Sequence, residues 1–221
     1  MRSYFYKRFL KVVASGKVSS MKEISSGVPQ GGKWSSTLWD FDISEMADGL
    51  SDSVLFFGYA DDVALWYGVT PGDEDSLISV INADLHALHL WGVDNKTTFE
   101  LTKTKCMVFS QKRRKFDVSR LVFEGNPVEK VVSSKVVGYM LDSELRWGGM
   151  VDMLARKARG RIAALSRVRH LLSSANMKKI YLMFIRSIME YGSVAWCGAA
   201  QSHLSKLDRI QARAETIGGF E

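Results

Sequence analysis

Cysteines and long apolar runs are scarce in this sequence. Cys106 and Cys197 are its two thiols, which make neither a disulfide framework nor a zinc site. Both lie in apolar runs, so we expect buried thiols in a reducing compartment. Charged residues such as Arg2, Lys7 and Arg8 interrupt the apolar region that a signal peptide would need, and no stretch approaches the roughly 18 apolar residues of a membrane span. An intracellular protein of the cytoplasm or nucleus, without a membrane partner, is therefore expected.

Carboxylates are absent from the start of the chain and rare near its end. The first 22 residues contain six Lys or Arg, and the first acidic residue is Glu23. Between Arg156 and Arg213, twelve basic residues stand against only Glu190 and Asp208. With a net charge of +6, two basic segments around a more acidic middle indicate a channel that grips a phosphate backbone. Two solvated helix faces would produce the same counts.

What is present suffices for a packed core. Of the 221 residues, 46% are hydrophobic, which excludes a disordered tail and suggests one domain or one with a small appendage. Two apolar, aromatic runs at residues 54–59 and 63–67 are separated by Ala-Asp-Asp and predict a β-hairpin with a tight acidic turn. Leucine, isoleucine and tryptophan recur at helical spacing over residues 77–91 and predict an amphipathic helix.

The last third of the chain has a different pattern. Short strands are predicted at residues 106–110, 120–123 and 136–141. After Trp147 the apolar residues take the spacing of three helices. The predicted fold class is therefore α+β, with a mixed region followed by an all-helical region.

The acidic turn is the strongest candidate site. Asp61 and Asp62 stand between aromatic strands that we expect to be buried, so that the turn is the only polar spot of the hairpin. Such a platform suits the presentation of a carboxylate to Mg²⁺, which prefers oxygen ligands; two solvated turn residues are the simpler alternative. Successive strand side chains point to opposite faces, so the two carboxylates should not aim equally at one metal pair. Two-metal chemistry then needs a further carboxylate from another element.

Four further segments stand in collinear order with this turn. Residues 27–31 read Gly-Val-Pro-Gln-Gly, and residues 59–62 read Tyr-Ala-Asp-Asp. The pair resembles the G-V-P-Q-G and Y-A-D-D motifs of reverse transcriptases of non-LTR retrotransposons, of the LINE and jockey kind. Residues 91–105 resemble the family's W…L-N…K-T segment, residues 135–147 its Y-L-G-x-x-L-D…L-x-W segment, and residues 182–217 its helical thumb.

The resemblance implies a fold and an activity. Residues 1–145 would form an incomplete polymerase palm, an antiparallel sheet with packed helices, and residues 146–221 a helical thumb-like region. The intact enzyme would synthesise DNA on an RNA template by two-metal nucleotidyl transfer. Its partners would be an RNA template, a DNA primer and a dNTP, and its cofactor Mg²⁺ or Mn²⁺, bound only in a complete active site.

The resemblance also implies roles residue by residue. Asp61 would be the metal ligand of this segment, and Asp62 its neighbour with a weaker claim to coordination. Gln30 and Gly31 would lie against the nascent base pair and the template, where glycine lets the backbone approach closely. Lys103 matches the lysine that protonates the leaving pyrophosphate, with a solvated lysine as an equal alternative.

Two more residues receive a place in the same way. Tyr59 would lie beside the substrate and template, and Gly138 would form the primer-gripping turn.

Two departures from the family pattern bear on activity. Ser36 replaces a proline at the start of the helix that follows residues 27–31, where serine can serve as a cap. The family's first catalytic motif, an Asp-bearing strand, should lie some tens of residues before Gly27, yet no residue before Glu23 is acidic. We therefore expect a fragment that lacks the fingers and first palm strand and does not polymerise DNA alone.

Two other functions fit the same sequence. A non-catalytic, nucleic-acid-binding remnant of a decayed element would keep the basic segments. A maturase-like protein that helps RNA fold is the third candidate, against which the thumb-like tail argues.

Overall fold

The computed structural model describes residues 6–25, 27–70, 72–109 and 116–220. Helix accounts for 47% and strand for 18% of the chain, which confirms the α+β class. The chain divides into two compact units, Met1–Thr104 with Arg120–Val128, and Lys105–Ser119 with Glu129–Glu221. The division into a palm of residues 1–145 and a thumb of residues 146–221 stays a prediction.

The elements in chain order are β1 (Arg8–Leu10), β2 (Val13–Ala14), β3 (Lys17–Val18), β4 (Lys22–Ile24), α1 (Ser35–Met46), β5 (Val54–Tyr59), β6 (Asp62–Tyr67), α2 (Glu74–Asp94), β7 (Lys105–Cys106), β8 (Val122–Phe123), β9 (Asn126–Pro127), β10 (Glu129–Lys130), β11 (Ser133–Val136), β12 (Tyr139–Asp142), α3 (Gly148–Val168), α4 (Ser174–Tyr181), α5 (Ser187–Met189), α6 (Ser193–Trp196) and α7 (Gln201–Gly218). Short 3₁₀ segments follow α1 and α3, and one π-helical turn, Leu182–Arg186, joins α4 to α5.

The core of the first unit forms around α2. Glu74 and Asp75 occupy the first turn of this helix, where its dipole favours acidic side chains. Its apolar stripe buries Leu85 and Leu88 against Met46 and Phe123. The amphipathic helix predicted over residues 77–91 is thereby confirmed. The β5–β6 hairpin packs on the core that the apolar face of this helix forms.

The core of the second unit forms around α3. The buried side chains of this helix recur every three or four residues, as on one face of a helix: Met150, Val151, Leu154, Ala155, Ala158, Ile162 and Leu165. They pack with Leu207, Ile210 and Ala214 of α7 and with Ile185 of the π-helical turn. The long helices predicted after Trp147 are therefore present, and the second one runs from Ser174 to Met189 through the π-helical turn.

The strands differ from the expected single antiparallel sheet. Within the described ranges they form six separate pairs, of which β7–β10 is parallel and the other five antiparallel. Four of the antiparallel pairs join segments that follow one another directly in the chain, where closing a short loop loses little entropy. The strand predicted at residues 136–141 is instead a hairpin, because Val137 and Gly138 have φ of 45° and 85° and must turn. Ser110, the predicted end of another strand, lies outside the described residues.

The expectation of two buried thiols was wrong for one of them. Cys106 is half-buried, and burial raises the pKa of its thiol while Lys130 partly offsets that rise. Cys197 is exposed at the end of α6, although its neighbours Trp196 and Ala199 are buried. Hydrophobic neighbours in sequence do not determine which face of a short helix a residue occupies.

No helix among the residues described here combines the length and the apolarity needed to cross a membrane. The predicted cytoplasmic or nuclear location stays a prediction.

Truncation of the α3 core should destabilise the second unit. Leu154 is 1% exposed, so Leu154→Ala should lower the free energy of unfolding by roughly 2–5 kcal/mol through lost burial and a cavity. Urea denaturation would measure it. Leu171→Ala is the matched control, since this leucine is 72% exposed and its loss should change stability by less than about 0.5 kcal/mol. Equal effects of the two substitutions would contradict the packing described for α3.

Candidate functional site

The acidic turn joins two strands whose register is fixed by six residue pairs. Phe56 faces Leu65 and Gly58 faces Val63, while Tyr59 and Asp62 form the last pair. Since side chains alternate along a strand, Phe56, Val63 and Leu65 share one face, which packs on the first unit's core. The hairpin predicted from the two apolar, aromatic runs is confirmed in both its strands and its turn.

The opposite face of the hairpin is exposed. Leu55, Phe57 and Tyr59 of β5 and Trp66 of β6 all lie in solvent. The expectation that the strands flanking the turn are buried was therefore wrong for their outer face, because a two-stranded hairpin that packs on α2 has only one covered face. The turn is polar within a surface that is otherwise aromatic.

Two residues make the turn itself. Ala60 has φ of +53°, the left-handed region that usually takes glycine at the first position of a two-residue hairpin loop and that costs a residue with Cβ about 1–2 kcal/mol. Asp61 follows it in the loop, and Asp62 begins β6 on the exposed face, beside Tyr59. Both carboxylates are exposed. Neither has a hydrogen bond or an ion pair within the described part of the chain.

The turn offers two carboxylates to a divalent cation and no more. No third His, Cys, Asp or Glu joins them in a metal-binding group among the residues that the structure describes. Two adjacent carboxylates can hold one cation weakly, whereas two ions about 3.5–4 Å apart need ligands from separate elements. The described donor set therefore does not fit a two-metal site by itself.

A buried carboxylate anchors the base of the same hairpin. Asp84 of α2 is 4% exposed. Its Oδ1 accepts a hydrogen bond from the Ser51 backbone N–H at 2.9 Å, and its Oδ2 accepts from the Ser51 and Tyr67 hydroxyls at 2.7 and 2.8 Å. Ser51 precedes β5 and Tyr67 ends β6, so one charge ties both strands to α2. Burial, followed by the hydrogen bond to Asp84 and its negative charge, raises the pKa of Tyr67 well above its usual value of 10.

Asp84 was not among the residues singled out from the sequence. Its helical position between Ile81 and Leu88 places a carboxylate inside the apolar stripe of α2. That is the signal that could have found it, because a buried charge requires partners.

The loop expected to approach template and substrate folds back on itself. The backbone N–H of Gly32 donates to Pro29 O at 3.1 Å, and the Ser35 hydroxyl also contacts that carbonyl oxygen. Gln30 and Gly31 are both exposed on this loop, and Gly31 has φ of +80°. Their roles stay predictions, but their exposure leaves them accessible to a ligand.

The helix after this loop begins differently from the expectation. Trp34 occupies the N-cap position of α1 and its side chain makes no capping hydrogen bond. Ser36 therefore lies inside the first turn, and its predicted role as a cap was wrong. The N-cap therefore lies two residues earlier than expected, and Ser35, the first residue of α1, contacts Pro29 O.

Lys103 lies exposed in the turn after α2. Its backbone N–H donates to Glu100 O at 3.0 Å. The pKa of the Glu100 carboxyl is lowered mainly by hydrogen bonds from Thr102 and, to a smaller extent, by the charge of Lys103. No ion pair joins Lys103 to Asp61 or Asp62 in the described residues, so its catalytic role stays a prediction.

Gly138 lies in the second unit, at the tip of the β11–β12 hairpin. A Cβ on this residue would lie 2.9 Å from the Tyr191 hydroxyl oxygen, and that hydroxyl donates to Val137 O at 3.2 Å. A turn is thus present at the position predicted for a primer grip. Glycine is required there both by its φ of +85° and by the adjacent ring.

A second candidate surface is the solvent face of α3, which is strongly basic. Five of its cationic residues are exposed: Arg156, Lys157, Arg159, Arg161 and Arg167. None of them has an ion pair in the part of the chain that is described, and the sequence contains no carboxylate between Asp152 and Glu190. Unpaired basic side chains on one helix face are suited to contact phosphate groups.

The curated relatives of the chain are polymerases of mobile elements. It is 28% identical over 222 aligned positions to the RNA-directed DNA polymerase from mobile element jockey of Drosophila funebris, and 25% identical over 223 positions to that of Drosophila melanogaster. It is 25% identical over 228 positions to the probable RNA-directed DNA polymerase from transposon X-element of Drosophila melanogaster. The chain is thus similar, over nearly its whole length, to RNA-directed DNA polymerases of mobile elements, which supports its resemblance to non-LTR retrotransposon reverse transcriptases. No family model and no solved structure matches it.

The match to these reverse transcriptases covers the chain far more fully than it covers the relatives. The alignments include 96% to 100% of the chain but 24% to 25% of each relative. The chain thus spans about a quarter of the length of the curated reverse transcriptases it matches.

The bond between Tyr67 and Asp84 should make this unit sensitive to alkali. Because the folded state raises the pKa of Tyr67, its stabilisation is complete below the unfolded value near pH 10 and is lost as pH rises above it. Above pH 10, the free energy of unfolding of wild type should therefore fall relative to that of Tyr67→Phe. One proton sets an upper limit of roughly 1.4 kcal/mol per pH unit to this fall. The actual fall should be smaller, because water screens the half-buried phenol.

Thermal unfolding between pH 8 and 11 would test this. Tyr6→Phe serves as the control, since Tyr6 is 65% exposed, and its profile should follow wild type. A constant difference between wild type and Tyr67→Phe across this pH range would contradict the expected alkaline loss.

Proposed function

We propose that this chain supplies part of the active site of a retrotransposon reverse transcriptase. In the intact enzyme, Asp61 binds a catalytic Mg²⁺ or Mn²⁺ ion, and Asp62 supports it from the exposed face of β6. A further carboxylate from outside the described set completes the site. The reaction is template-directed DNA synthesis on RNA, with a dNTP as substrate and a DNA primer as acceptor.

The observation that carries the proposal is the geometry of the turn. A tight hairpin loop projects two carboxylates without partners into solvent, and its strands are tied at their base to α2 through the buried Asp84. The backbone that carries these carboxylates is thus held in place before they meet a cation. The relatives that align with nearly the whole chain are named as RNA-directed DNA polymerases.

The remaining assignments follow from the same family. Residues 1–145 form the palm portion and residues 146–221 the thumb, with Gln30, Gly31 and Tyr59 against the template and substrate. Gly138 forms the turn that grips the primer, and Lys103 protonates the pyrophosphate. These roles are supported by the exposure of Gln30, Gly31, Tyr59 and Lys103 and by the tight turn at Gly138.

A second candidate function is nucleic-acid binding without catalysis. The unpaired basic face of α3 favours it, because such a face binds phosphate whether or not a metal site is complete. A non-catalytic remnant and a catalytic portion differ in whether Asp61 matters when the rest of a polymerase is present.

The isolated chain should not extend a DNA primer on an RNA template, because two carboxylates cannot hold both metal ions. A chimera in which these residues replace the matching quarter of the Drosophila funebris polymerase should extend the primer. Asp61→Asn in that chimera should lower the rate at least about a hundredfold, through loss of a metal ligand. Incorporation of labelled nucleotide would measure all three.

Asp52→Asn is the control for this substitution, since Asp52 is an exposed carboxylate of the same unit that precedes the hairpin. It should leave the rate unchanged. A chimera that polymerises equally well with Asn at position 61 would indicate the non-catalytic function, and extension by the isolated chain would show that the site is complete.

Binding of single-stranded RNA should depend on salt through the basic face of α3. Neutralising Arg156, Arg159 and Arg167 together to Gln should weaken binding and reduce the slope of log K against log salt by about 0.7 for each phosphate group that the protein no longer neutralises. Fluorescence anisotropy at several salt concentrations would measure it.

The matched control removes the same charge elsewhere. Lys105, Arg120 and Arg146 each pair with a neighbouring carboxylate, so their joint change to Gln should alter the slope much less. Equal slopes for the two triple variants would show that net charge, and not the α3 face, determines binding.

A further inference from the structure

The tip of the hairpin is held by a side chain from α1. The indole Nε1 of Trp39 donates a hydrogen bond to the Ala60 carbonyl oxygen at 2.7 Å. This carbonyl belongs to the loop, beyond the last strand pair Tyr59–Asp62, so no neighbouring strand is placed to bond it. Trp39 therefore satisfies the backbone group that lies directly before Asp61.

The packing of α1 against β5 brings Trp39 to this carbonyl oxygen. Ile43 lies one helical turn after Trp39 on the same face, and a Cβ on Gly58 would lie 3.2 Å from Ile43 Cγ2. The absence of a side chain at Gly58 lets the helix approach β5 close to its end. Ile43 is buried there, which places the Trp39 indole within reach of the turn.

The bond acts on a residue in a strained conformation. Ala60 adopts φ of +53°, which side chains with Cβ disfavour and which persists only where surrounding contacts hold it. A hydrogen bond to its carbonyl oxygen is such a contact. Without it, the loop could relax, and the direction of the next side chain, Asp61, would change with it.

We propose that Trp39 is a positioning residue for the Asp61 and Asp62 carboxylates. It holds the tip of the hairpin through the Ala60 carbonyl, as Asp84 holds the base through Ser51 and Tyr67. The importance of these carboxylates rests on the proposed function, whereas the restraint of the turn by Trp39 does not.

Trp34 provides an internal comparison. Its side chain is 66% exposed, it directly precedes α1, and its indole makes no hydrogen bond within the described ranges. Nuclear magnetic resonance of the 221-residue chain should show the Trp39 indole N–H exchanging with solvent roughly three- to tenfold more slowly than that of Trp34, the effect of one net hydrogen bond. This comparison needs no substitution, so it holds even if a variant folds poorly.

Trp39→Phe removes the donor and keeps an aromatic ring. It should speed exchange of the Asp62 backbone N–H, which closes the loop, by about three- to tenfold, while Trp34→Phe leaves it unchanged. The proposal is overturned if the two indoles exchange at the same rate, or if Trp39→Phe leaves the Asp62 amide unaffected.

A titration with Mn²⁺ alone separates this proposal from the proposed function. Paramagnetic broadening of the Asp61 and Asp62 signals in wild type should need several-fold more Mn²⁺ in Trp39→Phe and should be lost in Asp61→Asn. Equal Mn²⁺ requirements in wild type and Trp39→Phe would overturn the positioning role. Absence of broadening in wild type would contradict the metal-binding function of the turn, while the exchange rates would still decide whether Trp39 restrains it.

Discussion

One buried carboxylate, Asp84, ties the β5–β6 hairpin to α2. A charge taken out of water is costly unless hydrogen bonds replace its hydration, and Asp84 receives three of them from Ser51 and Tyr67. Because Ser51 precedes the first strand of the hairpin and Tyr67 ends the second, separating the strands from α2 would leave the Asp84 carboxylate without its hydrogen-bond partners. The base of the hairpin is therefore fixed by the need of a buried carboxylate for hydrogen bonds. The turn at the other end of the two strands is held in place as a consequence.

The hairpin needs that restraint because few other contacts stabilise it. A two-stranded hairpin is marginally stable in water by itself, and here only the face with Phe56, Val63 and Leu65 packs on a core. The outer face leaves Phe57 and Trp66 in solvent. Packing on one side, together with polar anchors at base and tip, replaces the support that a wider sheet would provide.

Local patterns in the sequence predicted the helices and strands, but they did not predict the contacts between residues far apart in the chain. The two apolar, aromatic runs within residues 54–67 and the spacing of apolar residues in α2 are properties of neighbouring residues, so hairpin and helix were predicted correctly. The bonds from Trp39 to Ala60 and from Asp84 to Tyr67 join residues 21 and 17 positions apart, and they depend on how helices pack. The exposure of Cys197 depends on packing in the same way.

Because Asp61 and Asp62 are exposed, the hairpin can fold without a bound metal ion. Adjacent carboxylates in a buried site would repel each other and need a cation for the fold to form. Asp61 and Asp62 are exposed, so water and salt screen their repulsion. The turn is held instead by one neutral hydrogen bond at its tip and by the hydrogen-bonded Asp84 carboxylate at the base of the hairpin. A hairpin built in this way keeps its shape whether or not a metal is bound. The lack of a third ligand among the described residues therefore bears on metal binding and not on the folding of the hairpin.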